Sequence, residues 1–211
     1  MAEAAASLTF YTNPMSRGRV ARWMLEEVGE PYEVRFVDYG GPMKGPEYRA
    51  VNPMGKVPAL KHGEAVVTEV AAICAYLADA FPKAGLAPPP PERADYYRWL
   101  FFFAGPVEMA TVNESFGWRT DDPMERGRTG YGTIKAVLDT MEGAVREREF
   151  IAGDAFTAAD VYCGMHVFWG LKFGSIERRP AFEAYWSRLA EREAFKRAAK
   201  LDDEAMGEQS S

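Results

Sequence analysis

Two predicted helix starts in this sequence could each bind an anion. Ser16 comes at the start of the first predicted helix, and Thr68, Glu69 and Val70 open a second one. The first N–H groups of a helix have no partner within it, and the helix dipole favours negative charge there. Both positions also have a purely structural interpretation. Ser16 could cap its own helix, and Glu69 could be an ordinary first-turn acid.

A valine–proline pair offers a different kind of binding group. Val57 and Pro58 stand at the head of a predicted strand. A cis bond before proline costs little more than a trans bond, and here it would turn the Val57 amide and carbonyl outward. A short peptide could then add alongside as an antiparallel strand. The alternative is an ordinary trans proline on an edge strand.

The apolar pattern predicts the elements that position these groups. A helical repeat of Val20, Met24 and Val28 runs up to Gly29, and a later helix, with Thr68 placed to cap it, ends before Pro82. Strands are predicted at residues 8–11, 31–37, 57–60 and 65–67. The resulting order β-α-β-loop-β-β-α is the thioredoxin-like arrangement.

The rest of the chain predicts an all-helical domain, so the fold class is α/β followed by all-α. We expect a thioredoxin-like domain at 1–82, a proline-rich linker at 83–92, helices at 93–202 and a disordered acidic tail at 203–211. The helical stretches are 96–116, 124–149, 157–171 and 180–189. Pro106 should kink the first of them, and Thr157 with Asp160 forms a capping box at the third.

Composition narrows the classes of function. The 211 residues (23.5 kDa) carry a net charge of −6, which argues against binding nucleic acid or an anionic membrane. Cys74 and Cys163 lie far apart, and His62 and His166 lack partners at metal-binding spacing, so we predict no disulfide framework and no metal site. The absence of a leader-like segment or a long apolar run predicts a cytoplasmic protein with no membrane span.

Three motifs together resemble one protein family. They are NPMGKVPAL at residues 52–60, Thr68-Glu69 at a helix start, and GDAFTAAD at residues 153–160. With the predicted domain order, they make the chain similar to bacterial cytosolic glutathione S-transferases from about residue 8 to residue 200. The resemblance implies a cytoplasmic detoxification enzyme that uses glutathione as co-substrate, needs no metal and forms a homodimer.

The resemblance also implies a glutathione site. In the family, the backbone at Val57, before Pro58, binds the cysteinyl part, and the helix start at Thr68 binds the γ-glutamyl carboxylate. Glu69 would bind the ammonium group. Val70 stands where the family commonly has serine, and the lost hydroxyl bond is worth roughly 0.5–1.5 kcal/mol.

The group that ionises the thiol stays open at this point. Ser16 falls where serine-type members place their catalytic serine, and Tyr11 falls where tyrosine-type members place their tyrosine; neither could also be the answer. Tyr11 has a structural interpretation as a core phenol. No cysteine occurs before residue 70, which disfavours cysteine-type chemistry. Arg17, Lys44 and Lys56 are candidate cations for the anionic ligand.

The electrophile is expected in a pocket between the two domains. Met15, Met109, Phe116 and Trp169 are the candidate lining residues. The predicted reaction adds the thiolate to a small, largely apolar electrophile. The alternatives are an isomerase, a dehalogenase or a peroxidase that uses the same thiolate, and a non-catalytic scaffold or binding protein of the same fold.

Overall fold

The computed structural model describes the backbone of residues 7–209 and the side chains of residues 7–207. Two compact units make up the chain: residues up to 85 together with those from 192 onward, and residues 86–191. No helix in the described part of the chain is long and apolar enough to cross a bilayer.

The first unit contains a four-stranded mixed sheet in the order β2-β1-β3-β4. The strands are β1 (Leu8–Thr12), β2 (Tyr32–Phe36), β3 (Ala59–His62) and β4 (Ala65–Thr68). β1 runs parallel to β2 and antiparallel to β3, and β3 pairs antiparallel with β4. The predicted thioredoxin-like order is confirmed.

The helices of this unit are α1 (Gly18–Val28), α2 (Gly41–Lys44), α3 (Pro46–Arg49), α4 (Val70–Ala80) and α11 (Glu193–Gln209). Gly29 ends α1 in the left-handed conformation, as predicted. The prediction that Thr68 caps α4 is wrong. Thr68 is the last residue of β4, and Glu69 occupies the N-cap position.

The second unit is all helical, as predicted. Its helices are α5 (Ala94–Phe102), α6 (Glu108–Ser115), α7 (Pro123–Arg128), α8 (Ile134–Glu147), α9 (Ala158–Phe173) and α10 (Pro180–Ala190). A π-helical turn containing Pro106 separates α5 from α6, because proline removes a backbone donor there. The predicted single helix at 124–149 is two helices, since Gly130 and Gly132 adopt φ of 74° and 71° between them.

The predicted capping box at the start of α9 is confirmed. Thr157 caps the helix, and Asp160 binds back to the Thr157 N–H at 2.9 Å. Asp160 also accepts from the Ile151 N–H and the Tyr185 hydroxyl, at 2.7 and 2.8 Å. Burial raises the pKa of Asp160 to about 6, although these hydrogen bonds favour its charged form. One buried carboxylate therefore ties together a loop, α9 and α10.

The C-terminal segment differs most from the expectation. Residues 203–209, predicted as a disordered tail, continue α11, which belongs to the sheet-containing unit. Its buried stripe is Ala194, Ala198, Asp202 and Ala205. Small residues at helical spacing let α11 approach α1 closely.

Ion pairs fix α11 against α1. Arg22 and Asp202 are both buried, and the Arg22 Nε lies 2.8 Å from the Asp202 Oδ1. Arg192, just before α11, donates two hydrogen bonds of 2.6 and 2.7 Å to the Glu27 carboxylate. Burial raises the pKa of Asp202, and the Arg22 charge opposes that shift. Asp202 and Asp203 are thus partners of α1.

Asp202→Asn should destabilise the protein strongly, because it leaves the buried Arg22 charge without a counter-charge. Breaking a buried pair in this way costs about 3–5 kcal/mol. Glu204→Gln is the matched control, since Glu204 lies on the same helix in an exposed pair 3.8 Å from Lys200, and should cost below about 1 kcal/mol. Urea unfolding measures both; equal losses would contradict the buried-pair account.

Candidate active site

The loop after β1 holds Ser16 through a buried asparagine. The Asn13 Nδ2 donates to the Val37 carbonyl at 3.2 Å, and the Asn13 Oδ1 accepts from the Met15 N–H at 3.0 Å. The Asn13 carbonyl accepts both from the Ser16 N–H, at 3.0 Å, and from the Ser16 hydroxyl, at 2.6 Å. The Asn13 side chain therefore holds the loop to Val37, just after β2, and the Asn13 carbonyl holds Ser16.

The Ser16 hydroxyl also contacts the start of α1. Its Oγ accepts from the N–H of Gly18, the first residue of α1, at 2.8 Å. A Cβ on Gly18 would lie 1.9 Å from the Thr12 Oγ1, so glycine is required where the helix approaches the end of β1. Ser16 thus bonds its own helix start, as its structural interpretation predicts, and remains half-buried at the positive end of the helix dipole.

Tyr11 lies on β1 with its ring half-buried. The ring packs at 5.8 Å from the ring of Tyr48, in a cluster with Val37 and Met43 that Val57 also contacts. The Tyr11 hydroxyl makes no hydrogen bond to any residue that the structure describes. Burial raises the pKa of Tyr48 to about 12, and the neighbouring Tyr11 adds to that shift.

The peptide unit at Val57 is open to a ligand. The Val57-Pro58 bond is cis, as predicted. Just before it, the Lys56 carbonyl accepts from the Tyr48 hydroxyl at 2.8 Å and from the Asn52 Nδ2 at 2.7 Å. Within residues 7–209, the Val57 N–H and C=O have no hydrogen-bond partner. The chain is thus fixed directly before a free donor and acceptor.

Glu69 begins α4 in a strained conformation. Its φ of 66° and ψ of 121° make it the only non-glycine residue with positive φ among those described. Its side chain is exposed and makes no hydrogen bond or ion pair within the described chain. Residues held in such conformations occur preferentially at functional sites. The N–H groups of Val70 and the next residues are the first donors of α4 and have no partner within the helix.

The three candidate cations differ in what they contact. Lys44 donates to the Met54 and Gly55 carbonyls at 3.1 and 2.5 Å, so it holds the loop that leads to Val57. The Lys56 side chain is exposed and has no polar partner among residues 7–207. Arg17 is exposed at the start of α1.

The candidate electrophile-binding residues are divided between the two units. Met15 belongs to the sheet-containing unit and is 68% exposed. Met109 and Phe116 of the helical unit are also exposed, and Trp169 is half-buried on α9. Phe116 forms a tilted ring pair with Trp118, with centroids 4.9 Å apart.

A cavity of about 540 Å³ in the helical unit lies elsewhere, lined by residues of α8 and α10 and of the chain just after α8. None of the candidate electrophile-binding residues lines it.

The histidines make local contacts. His62 Nδ1 lies 3.0 Å from the Tyr76 hydroxyl, and the ring of His166 packs among those of Phe103, Tyr162 and Trp169. Residues 7–209 contain no cluster of three or more His, Cys, Asp or Glu side chains placed to bind a metal ion.

Sequence reasoning missed the two asparagines that hold these loops. Asn13 and Asn52 are both buried, and each side-chain oxygen accepts the N–H two residues later, at 3.0 and 3.1 Å. Both stand in the tripeptide Asn-Pro-Met. Asn-Pro is a turn signal, and the repeated tripeptide was the available clue.

Comparisons with known proteins identify the family. Residues 15–80 match the family described as the glutathione S-transferase N-terminal domain. Glutathione S-transferase 3 of Zea mays is 31% identical over 209 residues, covering 91% of this chain and 93% of that protein. The chain belongs to the glutathione S-transferase family.

Other members of the family support the same placement. Glutathione S-transferase GstA of Escherichia coli O157:H7 is 31% identical over 177 residues, which cover 80% of this chain and 85% of that protein. A sphingomonad glutathione S-transferase solved in complex with glutathione is 28% identical, with a TM-score of 0.75 over 92% of this chain and 98% of that one. The family match at 15–80 includes Ser16, Val57 and Glu69; Tyr11 precedes it.

Proposed function

We propose that this glutathione S-transferase binds glutathione in its sheet-containing unit and ionises the thiol there, for addition to a small apolar electrophile. The observation that carries the proposal is the free peptide unit of Val57. Its N–H and C=O are unpaired within the described chain, while hydrogen bonds from Tyr48 and Asn52 fix the preceding carbonyl. A peptide ligand can pair with this unit without displacing an existing bond.

The start of α4 suits the γ-glutamyl group. Its carboxylate would accept from the free N–H groups at Val70 and beyond, where the helix dipole favours negative charge. The exposed Glu69 carboxylate is available for the ammonium group. The Lys56 ammonium group has no polar partner in the described residues and lies on the residue before Val57, so it would offset the negative charge of the ligand.

Ser16 is the proposed activator of the thiol. A free thiol with a pKa near 8.5 is only about 3% ionised at pH 7. The Gly18 N–H that donates to the Ser16 Oγ polarises the hydroxyl, which makes it a better donor to a thiolate. To donate, the hydroxyl must turn away from the Asn13 carbonyl, which keeps its bond from the Ser16 N–H.

Ser16→Ala should raise the pKa of enzyme-bound glutathione. A hydroxyl bond to an anion is worth roughly 1.5–3 kcal/mol, so the wild-type thiol pKa should lie about one to two units below that of free glutathione. The variant should lose most of that shift and still bind glutathione. The ultraviolet absorbance of the bound thiolate, measured against pH, reports both values.

Tyr11→Phe is the matched control for this measurement. It removes a half-buried hydroxyl of the same unit and should leave the bound thiol pKa unchanged. If Tyr11→Phe abolishes the shift and Ser16→Ala does not, Tyr11 is the activator. Glutathione bound without any shift would indicate a ligand pocket, and failure to bind would favour a non-catalytic scaffold.

Glu69→Gln should weaken glutathione binding by removing the charge that faces the ammonium group. Charge-assisted bonds of about 1.5–3 kcal/mol correspond to a loss of about 10- to 150-fold in affinity. Deamino-glutathione, which lacks the ammonium group, should bind the wild type and the variant equally well. Titration calorimetry measures the affinities of the wild type and of Glu69→Gln for each of the two ligands. Glu64→Gln, in the turn between β3 and β4, is the control. An equal loss of affinity for both ligands in Glu69→Gln would contradict the assignment.

The electrophile is proposed to contact Met15, Met109, Phe116 and Trp169, whose apolar surfaces suit an uncharged, apolar substrate. Polarisable methionine and aromatic side chains adapt to varied ligands, which fits a detoxification enzyme. This role and a cytoplasmic location rest on the resemblance to the family.

We further propose that the protein is a homodimer, as that resemblance implies. Light scattering after size-exclusion chromatography should then give about twice the chain mass of 23.5 kDa. A mass of one chain at micromolar concentration would contradict the dimer.

A further inference from the structure

We propose that Arg19 is a positioning residue through which α11 holds the loop that carries Ser16. The inference rests on the proposed role of Ser16 and extends it to the C-terminal helix. Arg19 is the second residue of α1, and its guanidinium contacts both segments. Its Nε donates to the Pro14 carbonyl at 2.6 Å, and its Nη2 donates to the Asp203 Oδ1 at 2.7 Å.

The Pro14 carbonyl belongs to the loop that carries Ser16, and it is the group through which Arg19 holds that loop. It lies between Asn13, whose carbonyl accepts from the Ser16 hydroxyl, and Ser16 itself. Asn13 ties the loop to Val37, and Arg19 supplies a second, independent tie from the helix side. Because Asn13 keeps its bonds without Arg19, we expect loss of Arg19 to shift the loop without unfolding it.

The Asp203 carboxylate lies on α11, which other contacts already hold against α1. Its neighbour Asp202 forms the buried pair with Arg22, and the Met206 Sδ also lies 3.5 Å from the Arg19 Nη2. An exposed ion pair contributes little by itself. Here the ion pair orients the Arg19 guanidinium, whose other donor binds the loop. Its main effect is therefore on the position of the loop. Small displacements of a reacting group can reduce rates strongly.

A purely electrostatic role for Arg19 makes a different prediction from a positioning role. If only charge mattered, Asp203→Asn would remove a negative charge and lower the bound thiol pKa. If Asp203 positions Arg19, the same variant loosens the loop and raises that pKa. Arg19→Lys separates the roles again, because lysine keeps the charge but has no fork with which to bond Pro14 and Asp203 together.

Arg197→Met provides a matched control. Arg197 also joins α11 to α1, with bonds of 3.1 Å to the Glu26 carboxylate and to the Glu26 carbonyl. None of its hydrogen bonds reaches residues 13–16. The variant therefore removes an arginine clamp between the same two helices and leaves the Ser16 loop held as before.

The experiment compares Arg19→Met, Arg19→Lys, Asp203→Asn and Arg197→Met in the full-length protein. It measures the thiol pKa of bound glutathione and kcat with 1-chloro-2,4-dinitrobenzene at saturating glutathione. Arg19→Met should raise the thiol pKa by about half a unit to one unit, which at pH 7 lowers the thiolate fraction and kcat by about 1.5- to 8-fold for a wild-type pKa between about 6.5 and 7.5. Asp203→Asn should act in the same direction, Arg19→Lys should not restore the wild-type value, and Arg197→Met should leave it unchanged.

Amide hydrogen exchange keeps the proposal separate from the role of Ser16. Exchange across residues 13–18 should be faster in Arg19→Met than in Arg197→Met. If Ser16→Ala leaves the thiol pKa unchanged, the assignment of Ser16 as activator fails. The exchange rates alone then test whether Arg19 holds the loop. Equal exchange in the two variants, or a thiol pKa lowered by Asp203→Asn, would overturn the proposal.

Discussion

The two buried asparagine side chains are the interactions on which the rest of the site depends. A buried amide is costly unless it is hydrogen-bonded, so Asn13 and Asn52 fix the loops that satisfy them. Asn13 joins its loop to Val37, and Asn52 holds the Lys56 carbonyl. With these loops fixed, the free Val57 peptide unit is presented without rearrangement, and the Ser16 hydroxyl has only to rotate away from the Asn13 carbonyl. Preorganisation of this kind lowers the entropy lost on binding.

Glutathione recognition, as proposed, uses mainly backbone groups and helix ends. The Val57 peptide and the α4 start offer polar backbone groups that have no partner within the described residues. Glu69 and Lys56 are the charged side chains of the proposed site, and the positive φ of Glu69 places it at the helix start at some conformational cost. This division explains how glutathione could bind to a chain with an overall charge of −6.

Local pattern predicted the sheet, most helices and the motifs, and long-range contacts account for what it missed. Short apolar runs and alternation located all four strands, whereas the valine–proline pair left the cis and trans bonds open and only the family resemblance favoured the cis bond. Residues 193–202 were predicted as part of the helical domain but not as a separate helix, and residues from 203 as a tail, because the buried stripe of α11 consists of alanines and Asp202. Such a stripe resembles a solvated face until Arg22 supplies the partner. The hydrogen bond between Arg19 and Asp203 joins residues that are distant in sequence. The roles of Ser16 and Tyr11 could not be separated by spacing alone.

A structure of the glutathione complex tests the central claim most directly. The account predicts that the glutathione sulfur lies within hydrogen-bonding distance of the Ser16 Oγ, with the cysteinyl backbone paired to the Val57 N–H and C=O. The Ser16 hydroxyl should then have turned from the Asn13 carbonyl while it keeps the Gly18 N–H. A sulfur bonded to the Tyr11 hydroxyl, or a ligand that leaves the Val57 peptide unpaired, would contradict the account.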